Sequence, residues 1–111
     1  MKRPILAALC AVLAAACGGS TSPDVSAGPN EVIMQGESFT PASRTVASGT
    51  TITWVNRDGT GHTTTRGGQE AWDSGVLGAN QSFSHTFNTP GAYPYECTVH
   101  PGMNGTITVT Q

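Results

Sequence analysis

Cationic side chains are scarce in this chain, and lysine is absent after Lys2. Beyond residue 16 there are only three arginines, Arg44, Arg57 and Arg66, against seven carboxylates, which gives residues 17–111 a net charge of −4. Nucleic-acid binding depends on basic side chains that neutralise phosphates. We therefore expect no nucleic-acid partner.

The chain also lacks an apolar run long enough for a transmembrane helix. Residues 5–16 are apolar, but a 12-residue helix would span about 18 Å of a hydrocarbon core about 30 Å thick. The basic residues Lys2 and Arg3 precede this run and small residues follow it, as is typical of a secretory signal peptide. We therefore predict that residues 1–16 are a signal peptide and that the protein is exported.

The predicted signal peptide ends in LAAAC, followed by two glycines. This segment resembles the bacterial lipobox, which implies a lipid on Cys17 that anchors the protein to the periplasmic or cell-surface side of a membrane without spanning it. Plain cleavage after an Ala-x-Ala segment is the alternative. Residues 17–29 are rich in Gly, Ser and Pro, a composition that predicts a flexible tether before a domain at residues 30–111.

Cysteine is scarce as well, with three in the chain. Cys10 lies in the predicted signal peptide and Cys17 is the predicted lipid site, so Cys97 is the single cysteine of the domain. An internal disulfide is therefore excluded there. A lone thiol in an oxidising compartment needs protection or a function, and metal ligation provides both.

No segment of the predicted domain has the period of an amphipathic helix, whereas several segments alternate with period two. TTITWVN places Ile52 and Trp54 on one face and Val55 with the threonines on the other, and GTITVT aligns Ile107 with Val109. Gly, Pro and Asn interrupt these segments every eight to twelve residues or so. This pattern predicts an all-β sandwich.

Three soft metal ligands lie close together in the segment CTVHPGM. Cys97, His100 and Met103 are each three residues apart, in a turn that follows a predicted strand. A metal site also needs a ligand from a second direction. His62 follows a glycine-rich turn at a strand end, which suits that role, whereas His85 lies within a strand and is expected to pack at the margin of the core.

Two imidazoles, one thiolate and one thioether are typical of a blue-copper electron-transfer site, with methionine as the weak axial ligand. Structural zinc sites use more thiolates, and iron–sulfur clusters need more cysteines. The alternative is that Cys97 and Met103 are core residues and His100 a surface residue, which would make the coincidence of four soft groups accidental.

The domain resembles the cupredoxins of the plastocyanin and amicyanin type over residues 30–111. The resemblance lies in SFTPASRTVASGTTITWVN, GHTTT, DSGVLGANQSFSHTF and TPGAYPYECTVHPGMNGTITV. It implies a Greek-key β-sandwich of seven or eight strands, one type 1 copper ion and one-electron transfer. By resemblance the copper ligands are His62, Cys97, His100 and Met103.

Two residues beside the predicted ligands depart from the family pattern. Thr63 replaces the asparagine that often joins the two ligand loops, and Val99 replaces a frequent proline. Val99 carries an N–H that could point at the Cys97 sulfur and raise the reduction potential. We expect a shell of four residues around the ligands: Gly61, Thr63, Thr98 and Val99.

The resemblance also implies that His100 reaches the surface within an apolar patch, ringed by Gly61, Pro101, Gly102 and Met103. Such a patch suits brief docking of redox protein partners. We also expect a monomer. We expect no small-molecule substrate and no enzymatic activity, because four protein ligands leave no open position on the metal.

A copper carrier or buffer that delivers the metal to an enzyme is the alternative function. Additional methionines or histidines near the site would favour it. Met34 and His85 are the only further candidates in the predicted domain, and neither is close to Met103 in sequence.

Overall fold

A computed structural model describes residues 27–111, which form two facing β-sheets. The predicted signal peptide, Cys17 and most of the predicted tether lie outside the described residues. The described strands, in chain order, are β1 (Glu31–Gln35), β2 (Ser38–Thr40), β3 (Ser43–Ala47), β4 (Thr50–Asn56), β5 (Thr65–Arg66), β6 (Trp72–Asp73), β7 (Ser82–Phe87), β8 (Gly91–Glu96) and β9 (Asn104–Thr110).

The predicted all-β sandwich is confirmed. One sheet has the order β2-β1-β4-β7 and the other β3-β9-β8-β5-β6, with parallel pairing of β1 with β4 and of β3 with β9. The described residues contain nine strands, more than the seven or eight expected, because β5 and β6 are two-residue strands at one edge. Two residues are too few to show a period in the sequence.

The core lies between the sheets and is built around Trp54. This residue is fully buried, with its ring centroid 5.4 Å from that of Tyr95 and 5.5 Å from that of Trp72. Val55 was expected on the polar face of β4, but it is 6% exposed. It pairs in register with the buried Ile33 of β1, and adjacent apolar side chains of this kind shield one another from water.

Two loops carry the predicted ligands: one crosses from the first sheet to the second, and the other joins two neighbouring antiparallel strands of the second sheet. The loop from β4 to β5 contains His62, and the loop from β8 to β9 contains Cys97, His100 and Met103. Within residues 27–111, the structure has no helix of the length and apolarity needed to cross a membrane.

Candidate metal centre

The β4–β5 loop holds His62 in a fully buried position. His62 and Leu77 form an isolated antiparallel bridge, in which each backbone N–H donates to the other residue's carbonyl, at 3.2 and 2.8 Å. Buried Asn56 supports the loop, because its side-chain amide donates to the carbonyls of Thr60 and Leu77, both at 2.8 Å. Leu77 thus holds the backbone of His62, and Asn56 holds Leu77 and the loop just before His62.

The β8–β9 loop is a tight turn closed by its own backbone. The Cys97 N–H donates to the Met103 carbonyl at 2.9 Å, and the Met103 N–H donates to the His100 carbonyl at 3.2 Å. Gly102 has a φ of +90°, in the left-handed region that favours glycine. Cys97 and Met103 are buried, and His100 is half-buried.

The two loops bring three ligand atoms into one cluster. Nδ1 of His62 lies 3.1 Å from Nδ1 of His100, and the Cys97 Sγ lies 3.9 and 3.7 Å from these nitrogens. Atoms that bind one metal ion at about 2.0–2.3 Å are separated by about 3–4 Å. The cluster therefore fits a single ion, and the structure places Met103 in the same turn.

The surroundings of Cys97 favour its ionised form. Burial opposes ionisation, but the Thr63 N–H donates to Sγ at 3.3 Å, and the His100 side chain and the N–H groups of Val99 and His100 add to this effect. Together they hold the pKa of the Cys97 thiol below its usual value. The thiolate is the form that binds a metal.

Thr63 joins the two ligand loops, although it replaces the expected asparagine. Its hydroxyl oxygen accepts the Thr98 N–H at 2.9 Å and lies 3.1 Å from the Thr98 hydroxyl. The Thr65 hydroxyl also donates to it, at 3.0 Å. Since Thr63 is 3% exposed, these bonds are largely protected from competition with water.

Asp58 contacts a predicted ligand directly and was not predicted from the sequence. Its Oδ2 lies 2.6 Å from Nε2 of His62, the ring nitrogen that faces away from the cluster. A signal for this contact exists in the sequence, because a metal-binding histidine usually gives its other N–H to a carboxylate or carbonyl. Asp58 lies four residues before His62, within the same turn.

His85 is at the margin of the core, as its strand position predicts. Its ring centroid lies 4.9 Å from that of Trp72 and 4.8 Å from that of Phe87, and its Nε2 lies 3.6 Å from a Glu70 carboxylate oxygen. It does not belong to the cluster of His62, Cys97 and His100.

Two apolar side chains are exposed beside the cluster. Among the described residues, the exposed large hydrophobic side chains are Val76, at 67%, and Val99, at 45%. Val99 adjoins His100 in sequence, and a Cβ atom on Gly61 would lie 2.6 Å from Cγ1 of Val76. Gly61 therefore leaves the room that Val76 occupies next to His62, and Val76 extends the apolar patch that was expected around His100.

Comparisons with known proteins identify a copper-binding family. Residues 26–110 match the family described as copper binding proteins, plastocyanin/azurin family. Amicyanin-alpha of Methylorubrum extorquens is 32% identical over 109 residues, which cover 94% of this chain and 92% of the relative. The chloroplastic plastocyanin of Physcomitrium patens is 36% identical over 85 residues, which cover 65% of this chain and 50% of that protein.

A solved structure of an amicyanin mutant in its Cu(I) form has the same fold. It aligns with a TM-score of 0.70 and 28% identity, over 78% of this chain and 87% of that one.

Proposed function

The chain belongs to the plastocyanin/azurin family of copper-binding proteins, and on that premise we propose that four residues hold its single type 1 copper ion: His62, Cys97, His100 and Met103. When bound, the ion supplies a one-electron Cu(I)/Cu(II) couple. The protein carries single electrons, as a cupredoxin-like copper protein, and we propose that it does so between redox protein partners.

The observation that carries this proposal is the convergence of His62 and His100 Nδ1 on the Cys97 thiolate in a buried cluster. Hydrogen bonds hold these donors in place: those of His62 with Leu77, those between Thr63 and Thr98, and the backbone bonds within the β8–β9 turn. Ligands held this firmly move little when the charge at the site changes. Small reorganisation of this kind favours fast electron transfer.

We propose that redox partners dock on the apolar patch formed by Gly61, Val76, Val99, His100, Pro101 and Gly102. The patch carries no charged side chain, and half-buried His100 is its polar centre, the residue through which electrons would leave and enter. An uncharged surface of small area suits brief encounters. Val76→Asp is expected to slow electron exchange with a partner while leaving the copper spectrum unchanged.

Copper delivery is the alternative function, and the positions of the spare soft residues argue against it. Met34 is fully buried within β1, and His85 is stacked on Trp72, so that neither supplies a second binding position at the cluster. We also propose that the protein acts as a monomer. It is not an enzyme and has no small-molecule substrate, because four protein ligands leave no open position on the metal.

Export and anchoring are a separate part of the proposal and are supported by the sequence alone. We propose that residues 1–16 are removed, that Cys17 carries a lipid, and that residues 17–29 tether the domain of residues 30–111 at the periplasmic or cell-surface side of a bacterial membrane. Anchoring raises the effective concentration of the domain near membrane redox enzymes. A Cys17→Ser variant is expected to leave the membrane fraction, and its retention there would contradict lipid anchoring.

The first test of the copper site is a visible absorption and electron spin resonance spectrum of the full chain after addition of Cu(II). An intense blue thiolate-to-copper band with narrow hyperfine splitting is expected. Cys97→Ser should abolish the band, whereas His85→Phe, the matched control, should retain it. A pale Cu(II) spectrum of the unaltered chain would overturn the ligand assignment and leave copper carriage as the better hypothesis.

A further inference from the structure

Asp58 is held rigidly against His62. Its Oδ2 lies 2.6 Å from Nε2 of His62 and also accepts the Gly36 N–H at 3.0 Å, while the Asp58 N–H donates to the Asn56 side-chain oxygen at 2.8 Å. The His62 side chain is 0% exposed and that of Asp58 is 21% exposed. We propose that Asp58 is a positioning residue that orients His62 and lowers the reduction potential of the copper site, an inference that rests on the proposed function.

The orientation follows from which nitrogen faces which group. Nδ1 of His62 points to Cys97 and His100, so Nε2 is the nitrogen that carries the proton and donates it in a hydrogen bond to Asp58. This bond selects the tautomer with a free lone pair on Nδ1. It also fixes the rotation of the ring, which would otherwise depend on side-chain packing alone.

The electrostatic effect follows from the charge of the carboxylate. A charge-assisted hydrogen bond makes the imidazole a stronger donor at Nδ1, and a stronger donor stabilises Cu(II) more than Cu(I). Removing the charge should therefore raise the potential.

Within residues 27–111, no arginine lies within 4 Å of the Asp58 carboxylate. Among residues 27–111 the ion-pair contact of Asp58 is with His62, and neighbouring Arg57 donates to the Asn80 side chain. The ionisable group in contact with the Asp58 carboxylate is therefore the imidazole ring of His62.

The Gly36 contact ties the Asp58 side chain to a part of the chain outside the ligand loop. Gly36 lies in the turn between β1 and β2, with a φ of +64°, and belongs to a part of the chain 22 residues before Asp58. The carboxylate is thus held by the β1–β2 turn while it contacts the histidine. A side chain held only by its own loop would move with that loop.

The decisive experiment compares the reduction potentials of the full copper-loaded chain, Asp58→Asn and Glu37→Gln. Asp58→Asn keeps the shape and removes the charge, whereas Glu37→Gln removes an equal charge from an exposed residue next to Gly36. We expect Asp58→Asn to shift the Cu(II)/Cu(I) equilibrium about tenfold toward Cu(I), a rise of about 59 mV for one electron. Glu37→Gln should shift this equilibrium less than threefold. Asp58→Glu keeps the carboxylate charge, so its reduction potential should stay close to that of the unaltered chain.

Equal shifts in Asp58→Asn and Glu37→Gln, or no shift in either, would overturn the inference while leaving the blue copper site intact. If the unaltered chain showed no blue band, the proposed function would fail instead. Nitrogen-15 NMR of the metal-free chain then still tests the positioning role. A slowly exchanging His62 Nε2–H is expected in the unaltered chain and in Glu37→Gln but not in Asp58→Ala, which removes the acceptor, and its absence from the unaltered chain would contradict the role.

Discussion

The hydroxyl oxygen of Thr63 accepts the backbone N–H of Thr98 at 2.9 Å, so that a threonine joins the two loops that carry the predicted ligands. The residues lie 35 positions apart, directly after His62 and directly after Cys97. Threonine therefore keeps the connection between the ligand loops that asparagine often makes in this family, and it does so with a shorter side chain.

Thr63→Ala should destabilise the protein, because it removes the buried hydroxyl that accepts the Thr98 N–H and joins the two ligand loops. We expect a loss of about 1–3 kcal/mol in the free energy of unfolding of the metal-free chain, measured by urea denaturation. Thr63→Ser, which keeps the hydroxyl, should recover most of it. Thr51→Ala removes an exposed hydroxyl contact with Thr86 and serves as the control. An equal loss of unfolding free energy in Thr51→Ala would argue against a special role of Thr63.

Val99→Pro should lower the reduction potential. The Val99 N–H stabilises the Cys97 thiolate, and proline removes that donor and leaves more electron density on sulfur. A fall of roughly 30–60 mV, a three- to tenfold change in the equilibrium, is expected in a spectroelectrochemical titration. Val99→Ala keeps the N–H and should leave the potential nearly unchanged. An unchanged or higher potential in Val99→Pro would refute the role of this donor.

Tyr95 should make the fold sensitive to alkali. Burial raises its pKa to about 12, and the Trp54 side chain and the charge of Arg44 offset burial only in part. A tyrosine whose pKa is higher in the folded than in the unfolded state contributes stability below about pH 10 that is lost as the pH rises toward 12. The loss is at most about 2.7 kcal/mol for a shift of about two units.

The check is the free energy of unfolding of the metal-free chain at pH 8, 10 and 11.5. Tyr95→Phe has no hydroxyl to ionise and should show a smaller fall across this range, while Tyr93→Phe, which retains Tyr95, should fall like the unaltered chain. Parallel curves for all three proteins would show that Tyr95 does not cause the alkaline loss.

Gly105→Ala should be strongly destabilising. A Cβ atom at Gly105 would lie 2.5 Å from both Cζ and the hydroxyl oxygen of Tyr95, a buried ring that cannot move aside freely. We expect a loss of about 1–3 kcal/mol or more, read from the denaturation midpoint. At Gly59 an added Cβ has no atom within 4 Å, so Gly59→Ala is the control. A loss no larger than that of the control would mean that β9 shifts to accommodate the methyl group.

The sequence was sufficient to predict the sandwich, which the structure confirms, and the close spacing of Cys97 and His100, because both depend on local patterns. Period-two alternation is visible within one strand, and three soft ligands within seven residues are visible without a fold. Asp58 and Val76 were not predicted, since their importance depends on how a loop folds beside His62. Val55 was assigned to the polar face because alternation alone does not show that Ile33 covers it.

The 35-residue separation of His62 from Cys97 also constrains when the cluster can form. Cys97, His100 and Met103 are neighbours in any compact turn, but His62 joins them only after β4 and the β8–β9 hairpin, which belong to different sheets, have come together. Such long-range closure is slow relative to local turn formation. We therefore expect the blue colour to develop late in refolding, as a reporter of the completed sandwich.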